Sequence, residues 1–255
     1  DSDVANTLKE RANIFLRVNI TRCTRKDAIQ ALQKDGIISK LHPNVSTALI
    51  VDKGTRNIKS SEAYNLGLVE LQDASSQASV LQLSTDQNGP ILDYCAGGGG
   101  KALALNAYLN KPIFAYDANL FRMKDLPKRA SRSGADIRII KSNDLKNSYY
   151  GLVFCDAPCS GSGTWRRDPE GKWSIKLRDY EKLLSLQENI LMTAAKLVKP
   201  NGRLVYATCS VLKDENKTQI QKFLTNSNEW VLEKEKLFMP NGLGDGFYFA
   251  TLKKK

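Results

Sequence analysis

Histidine is almost missing from this chain: His42, in "KLHPNV", is the single one among 255 residues. Beside Pro43 it reads as structural, so the chemistry is expected to proceed without a histidine base. Zinc-ligand spacings of the CxxC…CxxC or HExxH kind are absent, and no metal is expected. No run of about 18 apolar residues occurs, which excludes a transmembrane helix and gives no reason to expect a membrane partner. The opening "DSDVANTLKERANIF" is acidic and then amphipathic, unlike a signal peptide. The cysteines are odd in number and scattered (Cys23, Cys95, Cys155, Cys159 and Cys209), which argues for reduced thiols in a cytoplasmic protein rather than a disulfide frame. Internal repeats, low-complexity tracts and Pro/Gly/Ser linkers are also lacking.

Present instead is an excess of basic charge, +11, which favours a polyanionic partner, chiefly nucleic acid. A merely solvated basic surface is the competing reading. Hydrophobic residues make up 42% and charged residues 25%, enough for a sizeable core in one large domain with a small appendage.

Residues 1–66 read as that appendage, a small α+β subdomain. A helical start from residue 8 gives way to the apolar segment Phe15–Val18. A helix resumes at Thr24, where Thr24 and Asp27 suggest a capping box. "TALIVDKG" (47–54) reads as a strand, and 58–77 as a helix, a glycine turn and a strand. Residues 67–255 then alternate. Apolar strands are expected at "PILDYC", "PIFAYD", "IRIIKS", "YGLVFCDA", "RLVYATCS", "WVLEKEKL" and "GFYFATLKK". Helices are expected over 101–109, 118–133, 178–198 and 214–225. This pattern predicts an α/β domain with a doubly wound, mostly parallel sheet, which binds ligands past the carboxyl ends of its strands.

"LDYCAGGGGKALAL" (92–105) places a strand, four glycines and a helix in succession. Glycine lets backbone amides approach a ligand, and the helix start favours an anionic group. A Walker loop is excluded because Ala102 follows Lys101. Asp117 closes the second strand and suits ribose hydroxyls, and Asp144, after the third, is placed for an adenine amino group. Each acid taken singly is equally well read as a helix cap. On spacing alone the pocket suits NAD or S-adenosylmethionine.

The fourth strand ends "CDAPCSGSG" and the fifth "YATCSV". Taking both strands as neighbours of the first brings Cys159, Cys209 and the glycine loop to one crevice. Cys155 and Cys23 read as small core hydrophobes. A redox pair remains open, although CxxC is its usual form. A thiolate, an acid and a releasing group suit one reaction. Addition to carbon 6 of a pyrimidine makes carbon 5 able to attack a sulfonium methyl.

In these motifs the chain resembles the Sun/Fmu-type (RsmB-like) RNA cytosine-5 methyltransferases, over roughly residues 15–252. The family's D-x-C-A-x-P-G-G-K appears as "DYCAGGGGK" (93–101), with Gly98 where proline is usual. Its D-x-P-C-S-G-x-G with Arg-Arg…Lys-Trp appears as "DAPCSGSGTWRRDPEGKW", and its T-C-S as "TCS" (208–210), followed by Glu215-Asn216. "LQDASSQ", "DGFYFATLKK" and "FLRVN" match as well. The resemblance implies a Rossmann-like S-adenosylmethionine-dependent fold. It implies Cys209 as nucleophile, Cys159 as the releasing cysteine, and Asp156 with Lys101 on the target cytosine. It implies cofactor contacts from Cys95, Ala96, Gly97, Gly98, Gly99, Gly100 and Lys101, with Asp117, Asp144 and Asp156. The cofactor would be S-adenosyl-L-methionine and the partner RNA, ribosomal RNA foremost, bound by a monomer. Transfer RNA, or a catalytically idle RNA-binding relative, are the alternatives. The Gly98 departure leaves a looser but competent loop expected. "FRMKDLPKRASR" (121–132) and the appendage would hold the RNA backbone. The Arg166-Arg167 pair is expected to shape the site, and Trp165 and Trp173 to stack on bases or pack as core. Many bacterial relatives carry a helical RNA-binding domain ahead of the segment matching residue 1, so a short form or a fragment is expected.

Overall fold

The structure, a computed structural model, describes Thr7 and residues 9–255. The acidic opening at 1–6 lies outside the described residues. Residues 9–13 form turn and irregular backbone, not the start of a helix.

The small domain is a four-stranded antiparallel sheet. Its strands are β1 (Ile14–Val18), β2 (Ile38–Leu41), β3 (Ala48–Lys53) and β4 (Val69–Leu71), in the order β2-β3-β1-β4. Helix α1 (Arg25–Lys34) begins at the expected capping box: the Asp27 N–H donates to Thr24 Oγ1, and the Thr24 N–H donates to Asp27 Oδ2. The core joins Leu16, Val18 and Leu49 to Ala28 and Leu32 of α1. The sheet continues past residue 66, because β4 pairs with β1 through Leu16–Leu71 and Val18–Val69. The small sheet therefore closes at about residue 71, where the sequence suggested 66. Strand β2 escaped the sequence reading because its "ISKL" is largely exposed and carries no apolar run.

Residues 74–77, read from sequence as strand, belong to helix α2 (Ala74–Leu81). Asp73 caps it by accepting from the Ser75 N–H. The helix wedges between the two sheets. Its Gln77 accepts from Thr47 Oγ1 at 2.8 Å and donates to the Gln72 carbonyl at 2.9 Å. Buried serines and a glutamine hide this helix from a hydrophobic-pattern reading.

The main domain is a seven-stranded sheet of β5 (Ile91–Asp93), β6 (Ile113–Ala115), β7 (Ile137–Ile139), β8 (Tyr150–Asp156), β9 (Val198–Thr208), β10 (Trp230–Phe238) and β11 (Phe247–Lys254). Its order is β10-β11-β9-β8-β5-β6-β7. Strands β5 to β9 pair in parallel and β11 runs antiparallel between β9 and β10. Helices α3 (Gly100–Leu109), α4 (Leu126–Ser133), α5 (Leu177–Leu197) and α6 (Lys217–Thr225) provide the connections. This is the expected doubly wound, mostly parallel α/β sheet. Both faces of β8 are buried: Leu152 and Phe154 join one core, Val153 and Cys155 the other. Burial on both sides explains its unbroken apolar run, and Cys155 is core as expected.

Two local readings change. The fifth strand, β9, is not a neighbour of the first, β5, since β8 lies between them. Cys209 reaches the crevice from one strand further out. The helix expected over 118–133 breaks into a 3₁₀ turn at Leu120–Met123 and then α4. Pro127 sits in the first turn of α4, where its missing N–H costs nothing, and would not fit further along a helix.

Candidate active site

The glycine loop between β5 and α3 needs glycine at two points. Gly97 (φ +48°) and Gly99 (φ +83°) adopt left-handed backbone, and a Cβ on Gly99 would strike Leu126 Cδ1 at 2.1 Å. The loop is tied to the end of β6: the Gly97 N–H donates to Asp117 Oδ2 at 2.9 Å. Asp117 is almost fully buried, and its other oxygen accepts from the Asn119 N–H at 2.9 Å. Alongside lies a cavity of about 400 Å³, walled by Tyr94, Cys95, Tyr116, Asp117, Pro158 and Ile190 among others. Asp117 and Cys95 thus meet there as expected. Asp144 does not: it is exposed and accepts from the Lys141 N–H in its own turn.

The second half of the crevice is built from the ends of β8 and β9. Cys159 Sγ and Cys209 Sγ lie 3.3 Å apart. Lys101 Nζ, from the first turn of α3, pairs with Asp156 Oδ2 at 2.9 Å and lies 4.4 Å from the centre of the Phe247 ring. The hydrogen bond from the Cys159 thiol holds Cys209 below the ordinary thiol range. Lys101 acts in the same direction, while burial and Asp156 oppose it. Cys159 is pushed well up by the same hydrogen bond and by burial. The two thiols are therefore pushed in opposite directions, Cys209 down and Cys159 up. All four residues singled out for catalysis meet in this crevice.

Two acids here escaped the sequence reading. Glu215 was noted in the motif without a role, yet it is fully buried. Its carboxylate accepts from the Ser160 N–H at 2.7 Å, from the Ser160 and Ser210 hydroxyls, and from Gln187 Nε2 at 3.0 Å. Ser160 follows Cys159 and Ser210 follows Cys209, so one carboxylate locks both cysteine loops. The pattern C-S…C-S followed by an acid was the available signal. Asp93, the last residue of β5, is also fully buried, and neither carboxylate oxygen has a hydrogen-bond partner among the described residues. Burial first, and the nearby Asp156 second, raise its pKa to about 8. Nothing in a strand-terminal aspartate marks it as neutral at ordinary pH.

Arg166 and Arg167 are structural ties. Arg166 is buried, with Nε 2.7 Å from Asp245 Oδ1 and its terminal nitrogens on the Asn241 and Gly244 carbonyls. Arg167 pairs with Asp245 and Asp73. Trp173 is 81% exposed, whereas Trp165 is half-buried. In the basic stretch 121–132, Arg122 faces Asp117 while Arg129 and Arg132 pair with Glu70, which leaves Lys124 and Lys128 as its exposed lysines.

Comparison with known proteins gives a family. The profile described as 16S rRNA methyltransferase RsmB/F matches residues 78–253, and an RsmF/B-like ferredoxin-like domain profile matches residues 2–58. The ribosomal RNA small subunit methyltransferase B of Cronobacter sakazakii is 32% identical over 99% of this chain. The chain spans 62% of that relative's length. A crystal structure titled PH0851 superposes with a TM-score of 0.90 at 29% identity, covering 99% of this chain and 62% of the other. A methyltransferase homologue from Pyrococcus horikoshii gives 0.83 at 24% identity, over 99% and 90%, a likeness of fold.

Proposed function

This chain belongs to the RsmB/F family of 16S rRNA methyltransferases, and from that premise we propose that it methylates carbon 5 of a cytosine in RNA, with ribosomal RNA as substrate and S-adenosylmethionine as donor. The observation that carries the reading is the thiol pair, 3.3 Å apart beside the Lys101–Asp156 pair. Methylation of an amino group has no use for a thiolate; carbon 5 of cytosine does.

The cavity beside the glycine loop suits an adenosine. Its volume of about 400 Å³ lies in the range of small-molecule pockets. Asp117 presents its carboxylate at the strand end that meets ribose hydroxyls in such folds, and Tyr94 and Tyr116 give the cavity an aromatic wall. When bound, S-adenosylmethionine supplies a methyl group on a positively charged sulfur. The target base, swung out of its stack, enters the thiol side of the crevice. Cys209 Sγ bonds to carbon 6, and Asp156 in its acid form gives nitrogen 3 a proton as negative charge develops there, its carboxylate then being held by Lys101. Carbon 5 takes the methyl, leaving the donor as a neutral thioether; it then loses its proton to a base, the S–C6 bond breaks to return the Cys209 thiolate, and nitrogen 3 gives its proton back to Asp156. Cys159 serves this release. Once Cys209 is bonded to carbon, the negative neighbour that kept the Cys159 proton in place is gone.

The test is incubation of the purified chain with methyl-labelled S-adenosylmethionine and unmodified ribosomal RNA, followed by nucleoside analysis. Label in 5-methylcytidine is expected. Label in N4-methylcytidine or methyladenosine would overturn the assignment.

A further inference from the structure

The glycine loop is gripped by guanidinium groups on both sides, and both grips depend on the small domain. Arg17 of β1 is buried; its Nη1 donates to the Gly100 carbonyl at 2.7 Å and to Gln72 Oε1 at 2.5 Å. On the other side Glu70 of β4 is 2% exposed and pairs with both Arg129 and Arg132 of α4. Arg129 Nη1 then donates to the Gly98 carbonyl. Carbonyls 98 and 100 flank Gly99, so the loop is fixed on either side of its left-handed residue.

The loop needs such fixing. Four successive glycines have the largest backbone freedom to lose, and no proline limits position 98. Hydrogen bonds from a charged donor are the strong kind; the Arg17 bond is partly buried, and the Arg129 bond lies at the surface. We propose that Arg17 and the Glu70–Arg129 pair are positioning residues for the cofactor loop, which makes the small domain a structural part of the cofactor site. The proposal rests on the loop being the S-adenosylmethionine loop. Without Arg129 the loop spends less time in its binding shape, and apparent affinity falls by that fraction.

Arg132 is the internal control. It pairs with the same carboxylate and lies 3.9 Å over the Tyr64 ring, yet its partners do not include the loop. Losing Arg132 weakens the domain junction without freeing Gly98. Position 98 offers a rescue. Gly98 lies outside the left-handed region, and its N–H donates to no protein acceptor among the described residues, so proline removes no bond there. A Cβ at 98 would sit 3.2 Å from Arg129 Nη1, a crowding that Arg129→Gln relieves.

The experiment is calorimetric titration of S-adenosylhomocysteine into the full chain and its Arg129→Gln, Arg132→Gln and Gly98→Pro/Arg129→Gln variants, with thermal unfolding of each. Arg129→Gln is expected to weaken binding about tenfold. Arg132→Gln should stay within about twofold for a comparable fall in Tm, and adding Gly98→Pro should recover most of the lost affinity. Equal weakening by Arg129→Gln and Arg132→Gln in step with Tm, or unchanged binding in both, would overturn the proposal alone. A wild-type chain that binds no S-adenosylhomocysteine would instead remove the functional reading, and this proposal with it.

Discussion

At the mouth of β5, the glycine loop is fixed by cationic groups reaching its carbonyls, one from β1 and one anchored through β4. At the mouths of β8 and β9, the two cysteine loops are fixed by a single anion, Glu215, through uncharged donors that adjoin the cysteines in sequence. The first arrangement is long-range and joins two sheets; the second is local to the main domain. The difference follows from what each loop does. The glycine loop must present backbone amides, so its carbonyls are the handles left to grip. The cysteine loops must present two thiols at a set distance, and a cation beside them would stabilise thiolate on both. A neutral donor set around one buried carboxylate fixes the geometry and leaves Lys101 to favour Cys209.

The sharpest way to break the second arrangement is Glu215→Gln. The amide turns donors toward Ser160 and Ser210, and groups that now share one acceptor lose their partner. A destabilisation of about 3 kcal/mol is expected, together with at least a tenfold fall in kcat. Urea unfolding and initial rates check both. A variant of native stability and rate would show that Glu215 does not hold the thiols.

A pH-dependent effect tests the seam between the two loops. Asp93 lies at the start of the glycine loop and close to Asp156, with a pKa raised to about 8. Between the unfolded value, about 4, and 8, the folded protein holds a proton that the unfolded chain has released. Stability from this group is therefore present below about pH 4 and is lost as pH rises toward 8. Asp93→Asn should gain in Tm over the wild type as pH goes from 5 to 8.5. Parallel Tm curves would place the ionised form in the folded protein.

Much of this was legible beforehand. The position of β8 followed from an apolar run that is buried on both faces. The Cys209, Cys159, Asp156 and Lys101 cluster followed from motif spacing at strand ends. What stayed hidden has physical causes. Helix α2 buries serines and a glutamine, so hydrophobic patterning passes over it. Asp144 and Asp117 look alike in sequence, and only packing shows that Asp144 is exposed while Asp117 is a buried wall of the cavity. Arg129 and Arg132 count as basic charge in any composition, yet Glu70, some 60 residues away in sequence, pairs with both. Pairing that distant has no local signature.

The central claim is the division of labour between the two thiols. It is tested most directly by mixing Cys209→Ala and Cys159→Ala variants with substrate RNA and S-adenosylmethionine and running denaturing gels. The account predicts a stable protein–RNA adduct for Cys159→Ala, and neither adduct nor methylation for Cys209→Ala. An adduct formed by Cys209→Ala, or none by Cys159→Ala under conditions where the wild type methylates, would contradict it.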